Sequence, residues 1–293
     1  MKARSAVGLL ISILILIALL AGAGVWLART LNNALEPRLA VGCTATVAGS
    51  SYSMATEQAR NAALISEISV QRGMPARAAS IALATALQES ALRNIEYGDL
   101  DSVGLFQQRP SQDWGTVEQI MDPVYSANAF YNVLEKVPGY LDMSVNDAAQ
   151  TVQRSGFPEA YAQHEALARA FASALTGETA GGLSCTLPEA VAAGLPGDVT
   201  AGAQEAMGGL AVLAPDVLPG ESGTVMTFDV PGVHGWMLAH WAVANALELG
   251  IVEVSHAGNT WDRNENKAGT NVGWQPSDIA TAGQVVITVA GGS

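Results

Sequence analysis

Pro75-Ala76-Arg77-Ala78-Ala79-Ser80-Ile81-Ala82-Leu83-Ala84-Thr85-Ala86-Leu87-Gln88-Glu89-Ser90 decides how this chain is read. Pro75 suits the opening of a helix, and Ile81, Leu83 and Leu87 carry that helix to about Ser90. Glu89 stands near the end of an otherwise apolar helix. Counting back by helical steps puts Ala86, Ala82 and Ala79 on its face, so the carboxyl is expected to emerge from a packed surface. Partial burial disfavours the ionised form, which is what a general acid needs to keep its proton near neutrality. The plainer alternative is a glutamate exposed at a helix end, the commoner setting for this residue type.

Helical signals continue on both sides. Met54 to Arg72 repeats apolar residues at Ala59, Ala62, Ala63, Ile65 and Ile68 and stops at Gly73. Asp122-Pro123 marks another start, leading through Ala127, Phe130, Tyr131 and Leu134 to the breaker pair Pro138-Gly139. Two more helices are predicted from Val145 to Arg154 and from Pro158 to Leu175, so residues 54–176 read as an all-α domain. Residues 30–53 read as a stalk ending in Ala48-Gly49-Ser50-Ser51. Residues 177–223, rich in Gly, Ala and Pro, read as a linker with one weak helix. At Thr224 the pattern changes. Strands are predicted at 225–228, 251–255 and 284–289, with a helix from Gly235 to Leu249, so residues 224–293 form a small α/β domain. The predicted fold class is mainly α with this small α/β addition.

From Ser5 to Ala28 the chain carries no charge, and Lys2, Arg4 and Arg29 bound the segment. About 20 apolar residues are enough to cross a bilayer as a helix, whereas a signal-peptide core runs about 7–15. Residues 1–29 therefore read as a cytoplasmic start and one transmembrane helix; a signal cleaved near Ala21-Gly22-Ala23-Gly24 is the alternative. The basic residues ahead of the segment keep the amino terminus inside. The expected location is the cell membrane, single-pass, with the remaining domains outside the cytoplasm. In an oxidising compartment the two cysteines, Cys43 and Cys185, which bracket the helical region, read as a disulfide.

The 27 acidic and 14 basic side chains leave a net charge of −13. Nucleic-acid binders need a basic surface, so that class is set aside. Recognition of any anionic polymer by this chain must likewise be short-range.

Glu89-Ser90, followed after a polar loop by Gly104-Leu105-Phe106-Gln107, resembles the two leading motifs of the soluble lytic transglycosylase family, Glu-Ser and then Gly-Leu-Met-Gln. The spacing matches, and Asp122-Pro123 before an aromatic helix is similar to the third motif. The resemblance covers roughly Thr56 to Thr176 and implies a lysozyme-like fold. It also implies that Glu89 protonates the glycosidic oxygen between N-acetylmuramic acid and N-acetylglucosamine, then takes the proton of the C6 hydroxyl as a 1,6-anhydro ring closes. No cofactor is implied; the implied partner is the peptidoglycan glycan strand, and no protein partner is specified. By the same resemblance Ser90 and Gly104-Leu105-Phe106-Gln107 line the groove. The fourth motif departs: where the family has Ala-Tyr-Asn-Ala-Gly, this chain has Val152-Gln153-Arg154-Ser155-Gly156-Phe157-Pro158-Glu159-Ala160-Tyr161. Tyr161 is the candidate for the displaced tyrosine, a packed core tyrosine being the alternative.

Three further points stay open on sequence. Asp99 and Asp101 precede Gly104, and either one near Glu89 would suit a muramidase, whose two carboxylates stand about 5–5.5 or 6.5–9.5 Å apart; their other reading is turn chemistry. Trp114 is placed either to stack on a sugar or to cap the core. The tail, with Gly235-Trp236-Met237-Leu238-Ala239-His240-Trp241, weakly resembles a carboxyl-terminal module of actinobacterial wall proteins, distantly similar to zinc peptidases. His234, His240 and His256 show no close ligand motif, and no metal site is expected. A wall-binding module without catalysis is the alternative to the enzyme.

Overall fold

The chain doubles back at Ala48-Gly49, where both residues have positive φ, 50° and 80°. Two consecutive positive φ values make the two-residue turn that matches strand twist. They join β1 (Gly42–Val47) to β2 (Ser50–Met54), antiparallel, with Val47 opposite Ser50. On its other edge β1 takes β3 (Leu183–Thr186), with Cys43 directly opposite Cys185, and the two form a disulfide. This three-stranded sheet ties together chain positions 142 residues apart. The computed structural model describes residues 41–221, 223–230, 232–267 and 270–291.

Between β2 and β3 lie six helices: α1 (Thr56–Gln71), α2 (Ala76–Ser90), α3 (Val117–Met121), α4 (Pro123–Leu134), α5 (Val145–Gln153) and α6 (Glu165–Leu175). Their starts follow local chemistry. Asp122 caps α4 by accepting from the Val124 and Tyr125 amides, with Pro123 behind it, and Ser144 caps α5 by accepting from the Asp147 amide. Every residue of α2 from Ala78 to Ala86 is buried. Its alanines let α6, α1 and α5 approach closely, which makes α2 the central post of this half. The Tyr131 hydroxyl donates to the Ile65 carbonyl at 2.9 Å and fastens α4 to α1.

The second half holds α7 (Pro196–Met207), α8 (Gly235–Ala244) and two sheets. One is a hairpin of β8 (Asn266–Lys267) and β9 (Thr270–Asn271). The other has six strands: β4 (Asp216–Pro219), β5 (Gly223–Asp229), β6 (Ile251–His256), β7 (Asn259–Asp262), β10 (Gln275–Pro276) and β11 (Gln284–Ala290). Their order is β10-β7-β6-β11-β5-β4, antiparallel throughout. Helix α8 is apolar all round, and all but one of its residues are buried. Such a helix needs cover on every side. It packs on β6 and β11 of the sheet and also on α1, α6 and β3 of the helical half. The two halves therefore share one core, and Gly42–Ser293 form a single unit.

The mainly-α expectation is overturned. The described residues are 40% helical and 21% strand, in three sheets. Several of the strands are too short, or too polar as in Ser50–Met54, to leave a periodic signature. From Gly42 onward the expected stalk is the β1–β2 hairpin, and the expected linker contains buried β3 and helix α7. The membrane segment lies outside the described residues. Among those described, no helix is long and apolar enough to cross a membrane.

Candidate active site

Glu89 occupies the last turn of α2, half-buried, one residue before the buried Ser90. The helix stops there because Ala91 and Leu92 adopt left-handed conformations, φ 53° and 56°. The chain then leaves as a long polar loop. Burial pushes the Glu89 carboxyl above its ordinary range, while hydrogen bonds from Tyr161 and Gln153 pull the other way. The Tyr161 hydroxyl donates to Glu89 Oε1 at 2.7 Å. Its ring is wholly buried, and burial together with the adjacent carboxylate raises the phenol, so it stays a proton donor. Tyr161, the tyrosine expected near Glu89, thus reaches the carboxyl group.

Ser90 and the Gly104–Gln107 turn meet, but not at a groove surface. Ser90 Oγ donates to the Leu105 carbonyl at 2.7 Å and accepts from the Arg93 amide at 3.2 Å. Leu105 and Phe106 are fully buried, with the Phe106 ring stacked on Phe130 at 4.8 Å. A pair of backbone hydrogen bonds, both 3.1 Å, between Val103 and Gln108 closes the turn. Gly104 has φ 80°, and a Cβ there would meet the Ile120 carbonyl at 2.8 Å. Glycine is therefore required by the turn and by α3, not by the approach of a ligand. Gln107 also adopts a left-handed φ, 47°, and its amide donates to the Tyr97 and Gly104 carbonyls, each at 3.3 Å. These residues hold the wall of the site in place. The contacts of Ser90, Leu105 and Phe106 are internal.

Gln153 was not singled out by sequence, although it lies within the fourth-motif stretch. At the end of α5 its amide donates to the Phe106 carbonyl at 2.9 Å while reaching Glu89, so one side chain couples the turn to the carboxyl. The loop that follows is pinned by Gln150 to the Ser155 carbonyl at 2.7 Å and by Asn146 to the Pro158 carbonyl at 2.8 Å. It presents Phe157, 76% exposed, over a cleft of about 560 Å³ lined by Gln88 and residues 157–160. Gln88 is held by Gln163 at 3.0 Å and by His164 at 3.1 Å. On the preceding loop Tyr97 is 74% exposed.

The other candidates are spoken for elsewhere. Asp101 accepts from Arg109 at 2.6 Å and from the Ser111 amide and hydroxyl, and the guanidinium first of all holds its carboxyl far below the usual range. Asp99 is exposed, and its carbonyl accepts the Ser102 amide. Both behave as turn residues. Trp114 is half-buried against the core, and its carbonyl accepts the Tyr125 hydroxyl at 3.2 Å.

In the second half His240 is buried, with Nδ1 2.7 Å from the Ala174 carbonyl and its ring stacked on Trp236 at 5.2 Å. Burial pushes it down to about 4. His256 lies 2.8 Å from the Gln284 carbonyl and edge-on to the same tryptophan, while His234 ends the short turn before α8. Among the described residues no group of three or more His, Cys, Asp or Glu side chains is placed to hold a metal ion.

Compared with known proteins, the chain matches no protein-family model and no curated protein.

Proposed function

We propose that the protein is a peptidoglycan-cleaving lytic transglycosylase in which Glu89 is the general acid and base, working outside the cytoplasm and held at the cell membrane by its N-terminal apolar segment. One observation carries this reading: a partly buried carboxyl at a helix end, raised by burial, receives a 2.7 Å hydrogen bond from Tyr161, and the chain neighbours of the two, Gln88 and Ala160, line an open cleft. A carboxylic acid in that setting keeps a proton to donate. The Cys43–Cys185 disulfide accords with an oxidising compartment.

The chemistry needs one such group. Glu89 gives its proton to the glycosidic oxygen as the bond from that oxygen to the anomeric carbon breaks. The C6 hydroxyl oxygen of the same N-acetylmuramic acid then bonds to the anomeric carbon, and its proton passes to the Glu89 carboxylate. Water is not consumed, and the acid is restored. Tyr161 and Gln153 stabilise the intervening carboxylate and orient it. A muramidase would need a second carboxylate, and Asp101 is committed to Arg109 and Ser111.

The test is digestion of purified peptidoglycan by the full chain and by Glu89→Gln, with products read by mass spectrometry. The expected result is 1,6-anhydro-muropeptides from the wild type and none from the variant. Reducing ends would replace this reading with hydrolysis, and the absence of any Glu89-dependent product from folded protein would replace it with a wall-binding role.

A further inference from the structure

A cavity of about 170 Å³ lies in the second half, between the loop that joins β3 to α7 and the turn that joins α8 to β6. Arg263, which follows β7, lines it and is only 2% exposed. Its Nε donates to the Pro188 carbonyl at 2.7 Å, and its Nη1 donates to the Ala246 and Ile251 carbonyls at 3.0 and 3.1 Å. One guanidinium thus fastens the loop, the turn and β6 together. It has five N–H groups, and among the described residues the two on Nη2 have no acceptor. Nη2 is not one of the sealed polar atoms, so the surface it keeps opens on the cavity. Carbonyl oxygens carry only partial charge, and among the described residues no carboxylate pairs with Arg263. Burial accordingly lowers its pKa from the ordinary value. A charge withdrawn from water is costly unless an ion of opposite sign meets it, so the free edge of this guanidinium calls for an anion.

The rest of the lining narrows the ligand. Ala190 and Leu247 give the cavity apolar wall, and Glu189 and Glu248 give it carboxylates; both glutamates are exposed, and Glu248 has Arg60 3.5 Å away. A bare anion would be repelled by these two, and a bare cation would leave Arg263 unmatched. A zwitterion answers both. Size limits it further: a cavity of about 150 Å³ takes a benzene-sized molecule, whereas pockets for larger ligands run about 300–1,000 Å³. The walls are held in place. Gly250, with φ 64°, lies so close to the loop that a Cβ there would meet the Gly194 Cα at 2.9 Å. Ala290, at the end of β11, bonds both glycines, accepting from the Gly194 amide at 3.0 Å and donating to the Gly250 carbonyl at 2.9 Å.

We infer that this cavity binds a free α-amino acid with a short apolar side chain, its carboxylate paired with Arg263 and its ammonium group with Glu189 at the rim. The N–H groups of Nη2 donate to the carboxylate, and the alanine and leucine of the wall take the side chain. The site shares no residue with the cleft beside Gln88, and it stands whatever reaction Glu89 performs.

The experiment is calorimetric titration of the full chain with alanine, with alaninamide, which lacks the carboxylate, and with propionate, which lacks the ammonium group. Alanine is expected to bind, and alaninamide to bind about tenfold more weakly, because only the acid form meets the guanidinium as an ion. Arg263→Lys keeps the charge but removes Nη2, and is expected to weaken alanine by about tenfold. Glu189→Gln leaves the carbonyl bonds of Arg263 intact, so it tests the site even if the Arg263 variant fails to fold. It should weaken alanine by about threefold, as an exposed ion pair allows, while propionate binds it no less tightly than the wild type. No binding at about 10 mM alanine, equal binding of alanine and alaninamide, or alanine binding untouched by Glu189→Gln overturns the inference.

Discussion

The middle of α1 and the end of α2 each bury a glutamate, and the difference between them separates structure from chemistry. Glu67, 7% exposed, is pushed up to about 8 by burial and by the nearby Glu205, and its Oε2 has no hydrogen-bond partner. Glu89 is likewise raised by burial, but it is only half-buried in the last turn of its helix, next to the cleft-lining Gln88, and has a tyrosine donor. A raised carboxyl is thus a consequence of packing; access and an oriented donor are what turn it into a reagent.

The contrast breaks if the two glutamates respond alike to substitution. The largest effect is expected from Glu89→Gln, which should lower glycan cleavage by about 10²–10⁴-fold while leaving the thermal midpoint nearly unchanged. Glu67→Gln should do the reverse. Because its folded value lies above the ordinary carboxyl value of 4.5, the wild type is most stable below that pH and loses stability as pH rises to about 8. Thermal melts between pH 4 and pH 9 should show that loss, on the order of a few kcal/mol, and the variant should largely abolish it. A Glu67→Gln variant that lost cleavage while folded would put the reactive group in the wrong helix.

Smaller effects sharpen the account of Glu89 itself. The Tyr161 bond favours the ionised carboxylate, so Tyr161→Phe should move the alkaline limb of the pH–rate profile upward and cut the rate by about tenfold. A limb that moved downward would mean that the phenol does not serve the carboxylate. Ser90→Ala leaves the buried Leu105 carbonyl short of a donor and should cost about 1–3 kcal/mol of stability, seen in denaturant titration. If it reduced binding of glycan without reducing stability, Ser90 would be a substrate contact after all.

Much of the helical half was legible because its signals are local. Gly73, Pro75, Asp122-Pro123 and the apolar repeats mark helix ends within a residue or two, and the pairing of Cys43 with Cys185 followed from their positions around the helices. The strands were harder to read. Ala48-Gly49 looked like the end of a stalk, since a hairpin needs a partner to show itself, and β3 sits in a stretch of low packing power. Helix α8 did carry a warning: an all-apolar helix cannot belong to a small domain on a flexible linker, because it needs cover on more than one side. In the site, Glu89 was found from its place on an apolar face, whereas Gln153 was passed over because an isolated glutamine has no local signature.

By itself the sequence determined where α1, α2, α4 and α5 begin and end, which carboxyl emerges from an apolar face, and which cysteines pair, since caps, periodicity and residue type act within a few positions; it started α6 seven residues early, ended α8 five residues late and missed α3. Only the tertiary structure decided that Ser90 turns inward, that Tyr161 and Gln153 reach Glu89 across 72 and 64 residues of chain, that Asp101 is spent on Arg109, and that one core runs from the helices into the six-stranded sheet. Those outcomes depend on which distant surfaces meet, and packing between distant segments leaves no mark in the residues taken one stretch at a time.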